Sequence, residues 1–321
     1  MASRALIFGI SGQDGSYLAR LLLEKGYEVF GASRSPVSER SPNLDQLGIA
    51  NQVRRAQAQP RDIDSVLHCL TEFRPHEVYN LSGLTSVALS FEQPIESFES
   101  ISVGTLHLLE AIRRSKSDIK FYNAGSSESF GNTDGVPASE TTALRPRSPY
   151  GVAKAAAYWH VANFREAYGS FACSGILFNH ESPLRPDRFV TRKIVAGAVA
   201  IASGKKTDKL ALGNLDVARD WGWAPEYVEA MWKMLQLNGP EDFVIATGET
   251  NRLEDFVAES FAAVGLNWRE HVTVDPQFAR PMDIRANYAS PEKAATQLGW
   301  RASKKMKDVV AAMIQAEKTR S

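Results

Sequence analysis

The sequence predicts an α/β fold in which helices cover both faces of a doubly wound parallel sheet, with a smaller and mainly helical lobe attached. Strand-like and helical segments alternate through the first half of the chain, as expected for a parallel sheet. The strand-like runs are 5–10, 27–32, 76–82, 119–125, 172–178 and 242–247, and the helical runs lie near 62–73, 96–115 and 149–168. A glycine-rich turn after the first strand supports the same fold.

That first turn has the composition of a dinucleotide site. The apolar run 5–10 leads into Gly9, Gly12 and Gly15, and an amphipathic helical pattern follows over 16–26. Glycines permit a tight turn and let a pyrophosphate approach the backbone, while the helix N-terminus supplies N–H donors and partial positive charge. The spacing is Gly-x-x-Gly-x-x-Gly, and a simple glycine-rich turn is the alternative. The order of strand, turn and helix favours a Rossmann-type dinucleotide site.

The end of the second strand indicates which dinucleotide binds. A carboxylate there would hydrogen-bond the ribose 2′-hydroxyl of NAD. This strand instead ends in Ser33, Arg34 and Ser35, a cation flanked by hydroxyls that suits a 2′-phosphate. We therefore predict NADP as the cofactor, and the alternative is that Arg34 is only a solvated surface residue.

The helix predicted over 149–168 carries the candidate reactive groups. Ser148 can cap it, Pro149 suits its first turn and Gly169 can end it. Tyr150 and Lys154 are four residues apart, so they project from one helical face. A lysine ammonium beside a phenol lowers the phenol pKa, which would let the tyrosine take a proton from a sugar or alcohol hydroxyl. An ordinary surface helix is the alternative interpretation.

The end of the strand 119–125 provides further candidates. Ser126 and Glu128 follow that strand directly. The carboxyl edge of a parallel sheet faces the ligand crevice, so we expect both side chains near Tyr150. For Glu128 alone, an exposed loop carboxylate is the alternative.

The second half of the chain has a different character. Arginine and proline become frequent in connecting segments after about residue 180, and helical patterns lie near 189–204, 224–237, 252–265 and 304–317. We predict a dinucleotide-binding domain at 1–178, with returns to it near 211–247. The remainder, 179–321, is predicted to be mainly a substrate-binding lobe that is interleaved with the sheet.

Composition excludes several classes of protein. The chain has 321 residues, 44% of them apolar, which suffices for a full core. Its 37 basic and 37 acidic residues cancel, which gives no support to nucleic-acid or membrane-surface binding. The sequence contains no apolar run of membrane-spanning length and begins directly with a strand, so we expect a cytoplasmic protein. Cys69 and Cys173 are expected to be buried thiols, and the six histidines show no metal-ligand spacing, so no metal is expected.

Taken together, the glycine turn, Ser126 with Glu128, and Tyr150 with Lys154 resemble the extended short-chain dehydrogenase/reductase superfamily, the nucleotide-sugar epimerases and dehydratases. Longer runs are similar to the GDP-sugar 4,6-dehydratases of that superfamily. These runs are 12–18, 147–151, 163–168, 175–183, 189–194, 212–216, 219–222, 227–232 and 241–249. They extend over nearly the whole chain.

The resemblance implies a lyase of deoxysugar biosynthesis that uses NADP. It implies conversion of GDP-mannose to GDP-4-keto-6-deoxy-mannose, with hydride passing from C4 to the nicotinamide and then to C6. In that scheme Tyr150, aided by Lys154, takes the proton of the 4-hydroxyl. Glu128 takes the C5 proton and returns it to the departing C6 hydroxyl. Ser126 holds the oxygen at C4 by a hydrogen bond.

The resemblance also implies two sets of binding residues and a homo-oligomer, either a dimer or a tetramer. The cofactor set is Gly9, Ser11, Gly12, Gln13, Asp14, Gly15, Ser33, Arg34, Ser35, Asp62, Leu81, Ser82, Thr85, Tyr150, Lys154, His180 and Arg185. The set for the GDP-sugar substrate is Ser86, Ser126, Glu128, Asn179, Val190, Lys193, Arg219 and Arg280. For His180 the alternative is a structural histidine.

Three other functions remain open at this stage. The segment 82–87 reads Ser-Gly-Leu-Thr-Ser-Val where relatives have Ala-Ala-Gln-Ser-His-Val, so a GDP-heptose 4,6-dehydratase with a larger sugar pocket is an alternative. The segment 125–128 also resembles the reductases that consume GDP-4-keto-6-deoxy sugars. A non-catalytic nucleotide-sensing protein is the third, although a sensor would not need Glu128, Tyr150 and Lys154.

Overall fold

A parallel sheet of seven strands forms the centre of the protein, in a computed structural model that describes residues 2–278 and 281–320. The strands along the chain are β1 (Arg4–Phe8), β2 (Glu28–Ser33), β3 (Arg54–Gln57), β4 (Glu77–Asn80), β5 (Lys120–Ala124), β6 (Ala172–Leu177), β7 (Asn179–Glu181), β8 (Leu210–Leu212), β9 (Ala218–Trp223), β10 (Phe243–Ile245), β11 (Thr250–Arg252) and β12 (Val272–Val274). The central sheet has the order β10-β6-β5-β4-β1-β2-β3.

The helices cover this sheet and build the lobe beside it. They are α1 (Gln13–Glu24), α2 (Pro42–Gln46), α3 (Ile63–Phe73), α4 (Val87–Glu92), α5 (Pro94–Phe98), α6 (Gly104–Ser115), α7 (Pro149–Tyr168), α8 (Val190–Ala202), α9 (Ala224–Leu235), α10 (Leu253–Ala262), α11 (Trp268–His271), α12 (Glu292–Gln297) and α13 (Met306–Arg320). A π-helical turn at Glu99–Val103 joins α5 to α6. The single helix predicted near 96–115 is therefore three consecutive segments.

The strand order confirms the doubly wound sheet. From β1 the chain builds outward to β2 and β3, then returns to the other side of β1 with β4. The loops after β1 and β4 therefore diverge, which opens a crevice at the carboxyl ends of the strands. The sequence prediction missed β3, because its residues Arg-Arg-Ala-Gln include no apolar run and leave the strand half exposed at the sheet edge.

Two apolar clusters cover the two faces of the sheet. On one face, α1 packs against α9 through residues such as Leu18, Leu22 and Met231. On the other, α3, α6 and α7 pack together through residues such as Leu108 and Val161. These buried side chains fix the strand ends that carry the site.

The predicted burial of both cysteines is confirmed. Cys69 lies in α3 and Cys173 in β6, and each side chain is almost fully inaccessible to solvent. Burial raises the pKa of the Cys69 thiol to about 11 and raises that of Cys173 further, so both stay protonated at neutral pH.

The lobe after residue 178 is mainly helical. Its apolar core joins α8, α10 and α13 to the short strands β8 and β9, with Trp221 and Phe256 at its centre. Strand β9 pairs with β7 and β11 in a small separate sheet, whereas α9 and β10 belong to the central unit. The domain boundary at 178 stays a prediction. No helix in 2–278 or 281–320 is long and apolar enough to cross a membrane.

Helix α7 has the bounds that the sequence predicted. The Ser148 side chain accepts a hydrogen bond from the Gly151 N–H at 3.0 Å, and Pro149 occupies the first turn. Gly169 ends the helix with φ of 64°, a left-handed conformation that glycine adopts without strain. These local signals place Tyr150 and Lys154 in the first two turns, at the sheet's carboxyl edge.

Candidate active site

A cavity of about 620 Å³ lies at the carboxyl ends of the central strands, between the sheet and the helical lobe. It brings together residues that the sequence analysis took from distant segments. The predicted residues that line it are Asp14, Leu81, Ser82, Thr85, Ser86, Ser126, Glu128, Tyr150, Lys154, Asn179, His180, Arg185, Val190, Lys193 and Arg219.

The four candidate catalytic residues meet on one wall of this cavity. Ser126 and Glu128 follow β5 in a 3-10 turn, where the Glu128 N–H donates to the Ser126 hydroxyl at 3.3 Å. Tyr150 lies in the first turn of α7, close enough to Ser126 for that side chain to influence its pKa. Tyr150 is 9% exposed and Lys154 is 7% exposed, so water has little access to either group.

The pKa of Tyr150 is opposite in direction to the sequence-based expectation. Burial raises it to about 12, the Ser126 side chain acts in the lowering direction, and the negative charge of Glu128 acts with burial. The Lys154 ammonium lies 5.8 Å from the Tyr150 ring and donates instead to the Ala124 carbonyl at 2.7 Å. Burial also lowers the pKa of Lys154 to about 8. The i, i+4 spacing places Tyr150 and Lys154 on one helical face, as predicted. The Lys154 ammonium is nevertheless directed to the Ala124 carbonyl at the end of β5, which the spacing does not predict.

The glycine turn after β1 has the close approaches that the motif predicts. Gly9 has φ of +87°, and a Cβ there would lie 2.6 Å from the Leu81 carbonyl oxygen. A Cβ on Gly15 would lie 2.3 Å from the Gly9 carbonyl oxygen. Gly12 is the N-cap of α1, and no side chain of the described residues caps that end. The first N–H groups of α1 are therefore available to an anion such as a pyrophosphate.

A buried polar network ties this turn to the strand after β6. Nε2 of His180 lies 2.9 Å from Oδ2 of Asp14, and Nδ1 lies 2.7 Å from the Phe178 carbonyl oxygen. Gln13 donates to Asp14 and to the His180 carbonyl, and it accepts from Ser182. With Asp14 ionised, both partners of the imidazole can only accept, so both ring nitrogens donate and the ring is an imidazolium.

The pKa values of this pair agree with that geometry. Burial alone would lower the pKa of His180, but the Asp14 charge and hydrogen bond raise it above its usual value. Burial alone would raise the pKa of Asp14, but His180 and the Gln13 hydrogen bond lower it. The charged pair is therefore favoured on one wall of the cavity.

Arg185 is held over the cavity by its neighbours. Its Nε lies 3.1 Å from Oε2 of Glu181, and that carboxylate also accepts from the Thr191 hydroxyl at 2.8 Å. The guanidinium lies 3.7 Å from the centre of the Phe189 ring. This fixed cation suits a phosphate or a carboxyl group.

Two cations from the lobe complete the opposite wall. Lys193 donates to the Ala211 carbonyl at 2.7 Å and lies 3.9 Å from the centre of the Phe278 ring. Arg219 donates to the Ile284 carbonyl at 2.7 Å and to Asp283 at 2.8 Å. Arg280, predicted for the same set, lies outside the described residues.

Several predicted cofactor residues do not line the cavity. Gly9, Ser11, Gly12, Gln13 and Gly15 belong to the turn after β1 and the start of α1, and Ser33, Arg34 and Ser35 lie at the end of β2. Two predicted residues cap helices. The Asp62 carboxylate accepts from the Asp64 and Ser65 N–H groups at the start of α3, and Ser86 accepts from the Leu89 N–H at the start of α4. The adenine contact predicted for Asp62 stays a prediction.

Other lining residues were missed as site residues. They include Glu181, Arg188, Asn214, Trp221, Phe278 and Asp283. Arg188 donates to the Thr85 hydroxyl at 3.3 Å, which joins the lobe to the segment after β4. The arginine-rich stretch after residue 180 and the family-like runs 175–183 and 212–216 were the available signals. Within 2–278 and 281–320 no three metal-ligating side chains are grouped to hold a metal ion.

Comparison with known proteins identifies the family of this chain. Residues 6–313 match the GDP-mannose 4,6 dehydratase family. The chain belongs to that family. GDP-mannose 4,6 dehydratase 1 of Arabidopsis thaliana is 45% identical over 323 residues, which cover 98% of this chain and 89% of the relative. The GDP-mannose 4,6 dehydratase of Homo sapiens is 42% identical over 338 residues, covering 98% and 91%.

Solved structures of other enzymes share the fold of this chain. The UDP-glucose 4-epimerase of Thermus thermophilus, solved in complex with NAD, superposes with a TM-score of 0.86 and covers 99% of this chain and 100% of its own. Its sequence is 24% identical. At that identity the likeness shows the shared fold, and the GDP-mannose 4,6-dehydratase relatives define the family.

Proposed function

We propose that this protein is a carbon-oxygen lyase that converts GDP-mannose to GDP-4-keto-6-deoxy-mannose in deoxysugar biosynthesis. One observation carries the proposal. In a chain of the GDP-mannose 4,6-dehydratase family, Ser126, Glu128, Tyr150 and Lys154 lie on one wall of a single cavity. A hydroxyl donor, a carboxylate, a phenol and an ammonium are the groups needed to remove and return protons around one sugar ring.

The oxidation begins at the 4-hydroxyl of the sugar. A nicotinamide dinucleotide bound at the glycine turn after β1 would supply the hydride acceptor for C4 and the hydride donor for C6. Tyr150 takes the proton of the 4-hydroxyl, and Ser126 holds the same oxygen. Because burial raises the pKa of Tyr150, the phenol needs positive charge nearby before it can act as a base, and Lys154 is the cation on its helical face.

The loss of water uses a different group. A carbonyl at C4 makes the C5 proton acidic, and Glu128 takes that proton as a base. The same carboxyl group then returns the proton to the C6 hydroxyl, which leaves as water. When hydride is returned to C6, C5 must take up a proton, and the proton that Tyr150 took from the 4-hydroxyl balances that step. The cycle needs a carboxyl group that works in both protonation states, beside the hydroxyl and phenol of the oxidation step.

The cofactor we propose is NADP. The glycine turn fits a dinucleotide because a Cβ at Gly9 or Gly15 would fill the space in which the backbone packs, and because the start of α1 is open. Arg34, with Ser33 and Ser35, provides a cation and hydroxyls for the 2′-phosphate. Asp14 would lie at the pyrophosphate, and His180 and Arg185 would help to complete the NADP pocket.

The substrate we propose is a GDP-sugar, held from the lobe side. Lys193 and Arg219 are cations suited to a diphosphate, and Asn179, Val190 and Ser86 line the same cavity. Both cations already bond carbonyl oxygens or Asp283, so their positions are fixed before the diphosphate arrives. Such preorganisation reduces the entropic cost of binding.

Incubation with GDP-mannose and no added reductant tests this function. Formation of a GDP-4-keto-6-deoxy sugar supports the dehydratase, since the hydride returns within one turnover. Turnover that requires added NADPH and a keto-sugar would instead support the reductase. Faster conversion of a GDP-heptose would support the heptose dehydratase. Binding without turnover of any of these would support a nucleotide sensor.

We also propose a homo-oligomer that forms through α5 and α7. Ile95, Phe98, Val152 and Trp159 are large apolar side chains with 42–73% of their surface exposed, on two helices that pack against each other. A second copy of the chain would bury them. Sedimentation of Trp159→Glu tests this, with Val274→Glu on β12 as a matched exposed control. The proposal fails if both variants sediment as the parent does.

A further inference from the structure

Two arginines from adjacent strand ends share one carboxylate beside the predicted 2′-phosphate site. Arg34 follows β2, Arg61 follows β3, and Glu96 lies in α5. Nη1 of Arg61 is 2.7 Å from Oε2 of Glu96, and Nη1 of Arg34 is 4.0 Å from Oε1 of the same side chain. The Glu96 carboxylate is thus within reach of both guanidinium groups, and Oε2 of Glu99 lies 3.8 Å from the same Nη1 of Arg61.

The backbone fixes the two arginine segments relative to each other. Ser33 pairs with Gln57 in the parallel register of β2 and β3, and the Ala58 N–H donates to the Ser33 carbonyl at 3.0 Å. The Gln57 side chain donates to the Arg34 carbonyl at 3.2 Å. These hydrogen bonds hold the start of the segment that carries Arg61 beside the end of β2.

The three charged side chains remain open to solvent. The side chain of Arg34 is 78% exposed, that of Arg61 is 40% exposed and that of Glu96 is 34% exposed. Ion pairs with this exposure contribute little to stability, so Glu96 can exchange for another anion at small cost. A phosphate binds guanidinium groups more strongly, because it offers three acceptor oxygens and the geometry for bidentate bonds.

We propose that Arg61 and Glu96 set the choice between NADP and NAD. Arg61 completes, with Arg34, a two-cation site for the 2′-phosphate, and Glu96 holds the two arginines together until the phosphate displaces it. This rests on the proposed use of NADP. Glu96 also acts against the phosphate by charge repulsion, and its carboxylate is an acceptor for the 2′-hydroxyl of NAD. The two residues therefore act in opposite directions on specificity.

Calorimetric titration with two fragments tests the assignment without relying on turnover. Adenosine 2′,5′-bisphosphate carries the 2′-phosphate, and 5′-AMP lacks it. Arg61→Gln should weaken binding of the bisphosphate roughly tenfold and leave 5′-AMP within roughly twofold. Glu96→Gln should strengthen bisphosphate binding, and Arg61→Lys should restore part of the lost affinity.

Arg20→Gln is the matched control. Arg20 on α1 has the same 40% side-chain exposure and also pairs with a glutamate, Glu24 at 3.8 Å, but it lies away from the β2 and β3 ends. It should leave both fragments unaffected. Equal losses for both fragments in Arg61→Gln, or an unchanged bisphosphate affinity in both Arg61→Gln and Glu96→Gln, would overturn the proposal.

The failure of this inference can be distinguished from failure of the proposed function. If GDP-mannose is converted but the fragment affinities do not respond to Arg61 and Glu96, only the specificity assignment is wrong. If the fragments respond as expected but GDP-mannose is not converted with either dinucleotide, the proposed reaction is wrong and the cofactor site stands.

Discussion

Asp14 and His180 are 166 residues apart in the sequence, yet their side chains meet at 2.9 Å in a partly buried, charge-assisted hydrogen bond. Asp14 belongs to the turn that opens α1, and His180 belongs to β7, which follows the last strand before the lobe. His180 also stacks on Tyr227, with ring centres 4.6 Å apart. The pair therefore links the glycine turn, the sheet edge and α9 at one point of the cavity wall.

This pair should make stability depend on pH. The pKa of His180 is raised above its ordinary 6.5, so its contribution is full below pH 6.5 and is lost as pH rises through the folded-state pKa. The pKa of Asp14 is lowered below its ordinary 3.8, so its contribution is lost only as pH falls through that lower value. Arg185 faces the pair and opposes the His180 charge.

A double-mutant cycle of Asp14→Asn and His180→Gln measures the coupling from denaturant unfolding. We expect about 2 kcal/mol at pH 5.5 and a clearly smaller value at pH 9. The matched cycle uses His68 and Glu72, an exposed pair at 3.4 Å, and should give under about 1 kcal/mol. A coupling at positions 14 and 180 that is as small at pH 5.5 as that of the exposed pair would show that His180 does not carry a charge in the folded protein.

Tyr150→Phe should stop the oxidation at C4 while keeping the ring and its packing. Single-turnover reduction of bound cofactor by GDP-mannose should fall by roughly 100-fold or more, because the variant has no phenol to take the proton. Affinity for the nucleotide sugar should barely change. Tyr168→Phe removes an exposed phenol from the same helix and should behave as the parent. Equal rates in Tyr150→Phe and the parent would remove Tyr150 as the base.

Glu128→Gln should separate oxidation from elimination. Its amide keeps the shape of the carboxyl group but cannot take and return a proton, so reduced cofactor should accumulate and water loss should stall. Stopped-flow absorbance of the reduced nicotinamide measures the first step. Exchange of the C5 proton with deuterated solvent measures the second and should fall.

Glu166→Gln, an exposed carboxylate on α7, is the control for that variant. It should release the 4-keto-6-deoxy product at the parent's rate. If Glu128→Gln does the same, a different acid-base group performs the elimination.

Gly9→Ala should destabilise the protein or prevent its folding. The residue has φ of +87°, and its new Cβ would approach the Leu81 carbonyl oxygen to 2.6 Å. The backbone conformation and the clash together should cost about 2 kcal/mol or more. Gly239→Ala, where a Cβ would have no described heavy atom within 4 Å, should change the free energy of unfolding by under about 0.5 kcal/mol. Similar effects of both substitutions in thermal or denaturant unfolding would contradict this explanation.

Local patterns predicted the elements that position the site. Ser148, Pro149 and Gly169 fixed the two ends of α7, because capping depends on residues within one turn of each end. Apolar runs likewise predicted β1, β2, β4, β5 and β6. Strand β3 was missed because an edge strand with arginines at its start has neither a continuous apolar run nor clear alternation.

Local sequence patterns were enough to predict the glycine turn, the helix that carries Tyr150 and Lys154, and the candidate groups at the end of β5. These follow from interactions between residues close in the chain. Three contacts come from the folding of distant segments against each other: Lys154 bonds the Ala124 carbonyl, Asp14 meets His180, and Arg61 shares Glu96 with Arg34. Such contacts depend on how the strands pair and how the helices pack. Charge and burial shift the pKa values of these groups according to distances between residues far apart in the chain, and local sequence patterns do not contain those distances.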